Sequence, residues 1–272
     1  MLTQQQHEEF MERGFTRVSN AFSQDTAAKM VARFWSFLEQ HQNVRRDEPA
    51  SWTEGIVRGI ADLKHESEFQ QIGSAKTLSV IDQLLGKNNW QHPSTWGQIL
   101  ATFPAEEWSW TSLCQGRVDV ETVQWHTDYE YDSRPDDLAG VQVFPILADL
   151  DPGGGATLVI EGSPGVIRNF VRDQPPEVLQ KMKRARLALM NSHPWFQSIS
   201  EPISLPRPEE WIAEQRTVID GIPVAVAELT GKAGDVVFCH PWLLHSSPPN
   251  CNETPRLMCT QRIRSHADRQ ET

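Results

Sequence analysis

Nine histidines and 36 acidic residues in 272 positions make metal coordination the first chemistry to look for, because imidazole nitrogens and carboxylate oxygens are the usual protein ligands of divalent cations. Three His-x-Asp/Glu pairs occur, His7 with Glu9, His126 with Asp128 and His266 with Asp268, where chance alone gives roughly one. What separates them is the element expected to carry each. His7 and Glu9 fall in a helical stretch, where positions two apart point to nearly opposite sides. His266 and Asp268 lie in the polar tail SHADRQET, expected to fray. His126 and Asp128, in QWHTDYEYD, close an alternating, strand-like run. On a strand, residues i and i+2 project from one face, so these two heads can share a cation.

A third ligand must come from elsewhere, and His193, His240 and His245 are the candidates. In GDVVFCHPWLLHSSPPN, Val236 and Phe238 point inward and the strand runs out near Pro241, which suits His240 as a hydrogen-bonded core histidine. His245 follows a short apolar step, and 11 residues later Arg256 opens the next strand, RLMCTQRIR. An arginine there can offer its planar fork to a carboxylate through two charge-assisted hydrogen bonds. His245 is therefore favoured, with His240 and His193 as the alternatives. His126, Asp128 and His245 would form a 2-His-1-carboxylate facial triad, the pattern of non-heme Fe(II) oxygenases with three open positions. Zinc would more typically take a further protein ligand or cysteine, and none stands nearby.

The elements that must position these residues fall into two regions. Up to about residue 95 the pattern is helical. Thr3 with Gln6 has the form of a capping box and Gly14 is placed to end that helix. Ser23 caps a second helix whose Ala27, Met30, Val31, Phe34, Trp35 and Leu38 recur at the spacing of one buried face. A third runs from about Ser74 to Gly86. From about Trp96 the period changes: GQILATF, GRVDVETVQW, AGVQVFPILADL, GATLVIEG, IPVAVAEL, GDVVFCH and RLMCTQRIR are short strand-like runs bounded by turn formers. Without a regular βαβ alternation they predict a mainly β protein, a sandwich or jelly roll, with flanking helices. The expected organisation is one domain over 1–272, with a helical buttress at 1–95 and jelly-roll strands at 96–163 and 223–265. Residues 164–222 interrupt the strands with helical patterns such as PPEVLQKMKRARLALMN, an insertion of a length that suits a lid.

Composition narrows the partners. A formal charge of −11 argues against nucleic acid or an anionic membrane as the main partner. No apolar run approaches the roughly 20 residues that span a bilayer, and MLTQQQHEEF lacks the features of a secretory signal, so a cytoplasmic location is expected. Cys114, Cys239, Cys251 and Cys259 form no C-x-x-C pair and read as reduced thiols. Trp108, Trp110, Trp125, Trp195, Trp211 and Trp242 cluster in sequence around the proposed site or the insertion, which suggests an apolar or aromatic small-molecule substrate.

These residues carry a family resemblance. WHTD, DPGGGATLVIEGSPG and GDVVFCHPWLLHSSPPNCNETPR, in that order, together with the opening FMERGFTRVSNAFSQDTAAKMV, resemble the phytanoyl-CoA dioxygenase family of Fe(II)/2-oxoglutarate-dependent oxygenases. The likeness is weakest at about 41–72 and 168–222, and GSPG stands where the family often has GSH. The resemblance implies a double-stranded β-helix, a distorted jelly roll in the manner of cupins, buttressed by N-terminal helices. It implies Fe(II) on His126, Asp128 and His245, with Arg256 pairing the distal carboxylate of the cosubstrate 2-oxoglutarate. It further implies help from Ser247 at that carboxylate, with Thr127 and Phe144 lining the same pocket. The implied reaction consumes O2, releases succinate and CO2, and hydroxylates or otherwise oxidises a small molecule by hydrogen abstraction. Two rival readings use the same fold: a cupin-like metalloenzyme that does not take 2-oxoglutarate, and a non-catalytic binding module.

Overall fold

The structure is a computed structural model that describes residues 1–53, 55–106, 108–109, 125–131, 138–201, 203–206 and 208–266, with the backbone alone at 108–109. The predicted capping signals act at the N-terminal helices. Helix α1 (Gln4–Arg13) has the reciprocal Thr3–Gln6 capping box and ends on Gly14 at φ 90°, where only a residue tolerant of the left-handed region avoids strain. Strand β1 (Phe15–Val18) follows. Helix α2 (Gln24–Gln42), capped by Ser23, buries the six residues of its predicted face. A short helix α3 (Ser67–Gln70) precedes α4 (Ala75–Leu85), capped by Ser74.

Ten further strands complete the β structure among the described residues. They are β2 (Gln98–Thr102), β3 (Trp108–Ser109), β4 (Gly140–Pro145), β5 (Leu158–Glu161), β6 (Ser204–Leu205), β7 (Arg216–Ile219), β8 (Ile222–Glu228), β9 (Val236–Cys239), β10 (His245–Ser246) and β11 (Arg256–Arg264). A five-stranded sheet has the order β1-β9-β4-β11-β2 and a four-stranded sheet the order β10-β5-β8-β7, with a small β3-β6 pair beside them. The pairs are antiparallel. This is the jelly roll that the strand pattern predicts.

Period-two alternation distributes the strands' side chains between faces. Phe144, Val159, Val237, Cys239 and Met258 come from both sheets and pack together in the interior. Val141, Val143, Phe238, Leu257, Cys259 and Ile263 face the other way and join the buried faces of α2 and α4 in one core. Each such side chain contributes about 1.5–3 kcal/mol relative to exposure, which is why the helices stay docked on this sheet.

The outer face of the four-stranded sheet is covered by the 164–222 stretch. Its helices are Ser163–Asp173, Pro176–Leu179, Met182–Asn191, Pro194–Ser198 and Glu209–Glu214. Val166, Ile167, Phe170, Leu189 and Phe196 pack against Leu158, Ile160, Val224, Val226 and Leu244. The single helix expected at PPEVLQKMKRARLALMN is two, because Lys181 adopts an extended conformation (φ −120°, ψ 107°). That break lets Ala185, Leu189 and Met190 turn to the sheet. Strand β7 also lies inside this stretch and forms the sheet's edge beside β8. Strand β1, which no clear period announces, gains its place by pairing with β9. Of the run GRVDVETVQW, Trp125 is described and residues 116–124 lie outside the described residues, as do Trp110, Cys114 and Asp268. Among the described residues no helix is long and apolar enough to cross a membrane.

Candidate metal centre

Strand β10 is two residues long, yet it builds the site. His245 pairs with Val159 of β5 and forms an isolated antiparallel bridge to His126 on its other side. The two residues exchange both backbone hydrogen bonds, His126 N–H to His245 O at 3.0 Å and His245 N–H to His126 O at 2.9 Å. Directly opposed residues present side chains on one face, and the ring centroids lie 4.3 Å apart.

Asp128 arrives differently from the strand geometry expected. The chain bends at Asp128 and Tyr129, so the carboxylate is delivered by a turn, and its Oδ2 stands 3.8 Å from His245 Nε2. Ligand atoms of His126, Asp128 and His245 all lie within 4.8 Å of one another. Several contacts hold the bend. The Thr127 hydroxyl donates to Tyr129 O at 2.8 Å. The buried Tyr129 hydroxyl lies 3.1 Å from Val141 O and 2.9 Å from Ile263 O, pinning the turn to β4 and β11. Arg262 Nη1 donates to Asp128 O at 3.0 Å, and Gln142 Nε2 donates to Asp128 Oδ2 at 2.8 Å.

The electrostatics suit a cation. His245 Nδ1 lies 3.0 Å from Leu243 O, so its proton is held there and the Nε2 lone pair faces Asp128. Burial, with His126 adding, lowers the His245 pKa to about 4, which leaves the imidazole neutral at neutral pH. Two imidazoles and one carboxylate on one face are a donor set that fits Fe(II) and leaves positions open.

The other predicted residues divide. Phe144 is buried, its ring 5.9 Å from that of His245. Thr127 is buried with its hydroxyl spent on the bend. Ser247 is exposed just past β10. Arg256 is 4% exposed; its Nη1 donates to Gly155 O at 2.8 Å and its Nε has no partner. Among the described residues no carboxylate pairs with it. Burial lowers its pKa to about 10, so it is charged at neutral pH. A buried guanidinium with no counter-anion is costly unless an anion joins it.

His240 and His193 are not part of this group. His240 is core, its Nδ1 accepting from Trp242 N–H at 3.0 Å, and burial lowers its pKa to about 3. His193 caps the helix Pro194–Ser198. Of the tryptophans expected as an aromatic wall, Trp125 and Trp242 lie elsewhere, in the buried cluster behind the four-stranded sheet, and Trp195 and Trp211 pack against that cluster. Trp125 adjoins His126 in sequence, but its side chain enters that cluster, and Trp195 and Trp211 belong to the covering helices. Gln142 and Tyr129 were missed by sequence reading, and the available signal was a lone polar residue in the otherwise apolar run AGVQVFP.

Fold and site together define a jelly-roll, Fe(II)- and 2-oxoglutarate-dependent dioxygenase. The chain belongs to the phytanoyl-CoA dioxygenase (PhyH) family, which it matches over residues 10–258. It is 24% identical over 250 residues to the ectoine dioxygenase of Bordetella parapertussis, covering 89% of this chain and 69% of that one. Among solved structures it is similar to the epimerase SnoN in complex with Fe3+, alpha ketoglutarate and nogalamycin RO, at TM-score 0.56 and 14% identity, over 96% of this chain and 82% of that one. It is also similar to HygX of Streptomyces hygroscopicus with nickel and 2-oxoglutarate bound, at TM-score 0.54 and 12% identity, over 97% and 88%. At these identities the structural likeness establishes the shared fold.

Proposed function

We propose that His126, Asp128 and His245 hold the iron, that Arg256 anchors the distal carboxylate of 2-oxoglutarate, and that the enzyme hydroxylates a small molecule. The observation that carries this reading is the convergence of three ligand atoms within 4.8 Å. The unpaired, buried Arg256 supports the cosubstrate assignment. By the period of two it shares the inward face of β11 with Met258, which lies in the interior core. The relative named for ectoine supports a small-molecule substrate. In the same reading Ser247 gives a hydroxyl to the carboxylate and Phe144 an apolar wall.

Bound Fe(II), with 2-oxoglutarate and O2, supplies the oxidising power that side chains lack, one oxygen atom entering the substrate C–H bond while 2-oxoglutarate becomes succinate and CO2. The chain's own residues position. His245 is kept in one tautomer by Leu243 O, Asp128 is aimed by Gln142 and Arg262, and Arg256 fixes the cosubstrate's far end. Asp128 also fills the ligand position that a halide would need, so hydroxylation is expected rather than chlorination. A chlorinated product from the wild-type enzyme in chloride would overturn that part.

Anaerobic addition of Fe(II) and 2-oxoglutarate tests the assignment. The wild type is expected to develop the weak visible charge-transfer band of the chelate. His126→Ala should abolish it, and Arg256→Gln should require much more 2-oxoglutarate to reach it. A band unchanged in both variants would sink the reading.

A further inference from the structure

Strand β11 passes the metal centre lengthwise. Leu257, Cys259 and Ile263 pack into the helical core while Met258 packs inside the jelly roll, so alternation puts Arg256, Met258, Thr260, Arg262 and Arg264 on the inward face. Asp128 meets this face between Thr260 and Arg262. The Gln142 amide bridges Asp128 Oδ2 and Thr260 Oγ1, and Arg262 donates to Asp128 O. At about 3.3 Å per residue, Arg256 lies roughly 13 Å from Thr260 along the strand. The cosubstrate arginine and Arg262 therefore flank the metal centre on opposite sides.

A cleft of about 680 Å³ opens on the Arg262 side, lined by Lys64, Asp128, Gln142, Thr260, Arg262 and Arg264 among others, and not by Arg256. Its charge is opposite to that of the chain. The protein carries −11 overall, yet this lining holds three cations, and its carboxylate among the described residues is the metal ligand Asp128 itself. Arg264 is engaged, 3.5 Å from Glu130 and over the Tyr129 ring. Lys64 and Arg262 have no carboxylate partner among the described residues.

A second observation lies beside the metal ligand. Gln142 is 3% exposed, and its Oε1 has no hydrogen-bond partner. The amide cannot be turned round to help, because the Asp128 carboxylate accepts only donors and so holds Nε2 toward itself. Gln142 lines the cleft, and its buried acceptor is left without a donor.

We propose that this cleft receives the substrate, a small polar molecule with an oxyanion held by Arg262 and Lys64 and a hydroxyl or amine hydrogen given to Gln142 Oε1. The proposal rests on the iron and 2-oxoglutarate reading above. The Arg262–oxyanion pair fixes one end, so the C–H bond beside the hydroxyl or amine is presented to the metal.

The test uses the full chain loaded anaerobically with Fe(II) and 2-oxoglutarate. Its charge-transfer band is recorded first, and failure to form that band counts against the cofactor reading rather than this one. A library of small hydroxy and amino carboxylic acids and of phosphate monoesters, each matched with a neutral amide or alcohol, is then titrated while the band is watched. Anionic members are expected to perturb it at concentrations at least about 10-fold lower than their neutral counterparts, and the two arms tell carboxylate from phosphate. Arg262→Gln should remove that preference, weakening anionic members by about 10- to 100-fold while Arg262→Lys keeps part of it. Because Arg262 also braces Asp128, Lys64→Gln is the second variant, expected to weaken the same members with the unliganded band intact. No binding by any anionic member, equal binding by the neutral ones, or a preference that survives both Arg262→Gln and Lys64→Gln would overturn the proposal.

Discussion

The side-chain amide of Gln142 donates to Asp128 Oδ2 at 2.8 Å, so a residue of β4 aims a carboxylate that the chain delivers from a bend. Partners of this kind orient metal ligands, and their loss typically costs 10- to 100-fold in metal affinity or activity. Gln142→Leu is expected to raise the Fe(II) dissociation constant by about 10-fold or more without unfolding the protein. Fe(II) titration alongside circular dichroism measures both. Unchanged affinity would show that Asp128 is held by the Arg262 contact and the backbone alone.

Arg256 is kept charged in the interior with its Nε unpartnered. Substituting a buried, unpaired charge by an apolar chain of similar length is often neutral or stabilising. Arg256→Met should therefore melt within a few degrees of the wild type, or above it, without 2-oxoglutarate. Saturating 2-oxoglutarate, at about 100 times its dissociation constant, should stabilise the iron-loaded wild type by about 2.7 kcal/mol and leave the variant unmoved. Equal thermal shifts in the two proteins would argue that the cosubstrate carboxylate binds elsewhere.

Gly140 opens β4 against the turn that carries Asp128. A Cβ there would press on the Ile263 carbonyl oxygen and come within 2.6 Å of the Tyr129 hydroxyl. Gly140→Ala is expected to cost about 1–3 kcal/mol, typical of overpacking, and to weaken Fe(II) binding by shifting Tyr129. Adding Tyr129→Phe should recover little of the stability, because the backbone oxygen of Ile263 is still in the way. Urea melts of the wild type and these two variants decide it.

Glu228 provides a pH test away from the metal. Burial raises its pKa from the ordinary 4.5 to about 7, opposed by the Gly153 N–H and reinforced by Glu209. Between those values the unfolded chain has lost the proton and the folded chain has kept it. The folded state thus binds more protons, and this group's contribution to stability falls as pH rises from about 4.5 to about 7. Glu228→Gln should flatten that slope and stabilise the protein by about 1–2 kcal/mol at pH 8, with little gain at pH 4. Urea melts at the two pH values check it, and a gain of equal size at both would refute the assignment.

What the sequence by itself determined is local. Thr3, Ser23 and Ser74 cap helices because a side-chain oxygen meets the amide three residues on, and α2's buried face follows from 3.6-residue spacing. The strand runs announced a jelly roll, and His126, His245 and Arg256 were readable from their positions beside or within such runs. Tertiary structure decided what depends on faces meeting across the fold. The His126–His245 bridge, the bend that swings Asp128 into line, and Gln142 behind it join residues far apart in the chain, and no local period encodes them. Packing placed Trp125 and Trp242 behind the four-stranded sheet, and alternation turned the cations of β11 toward the cleft. A sequence lists both kinds of side chain as neighbours of the site, and only the packed sheets determine which of them face it.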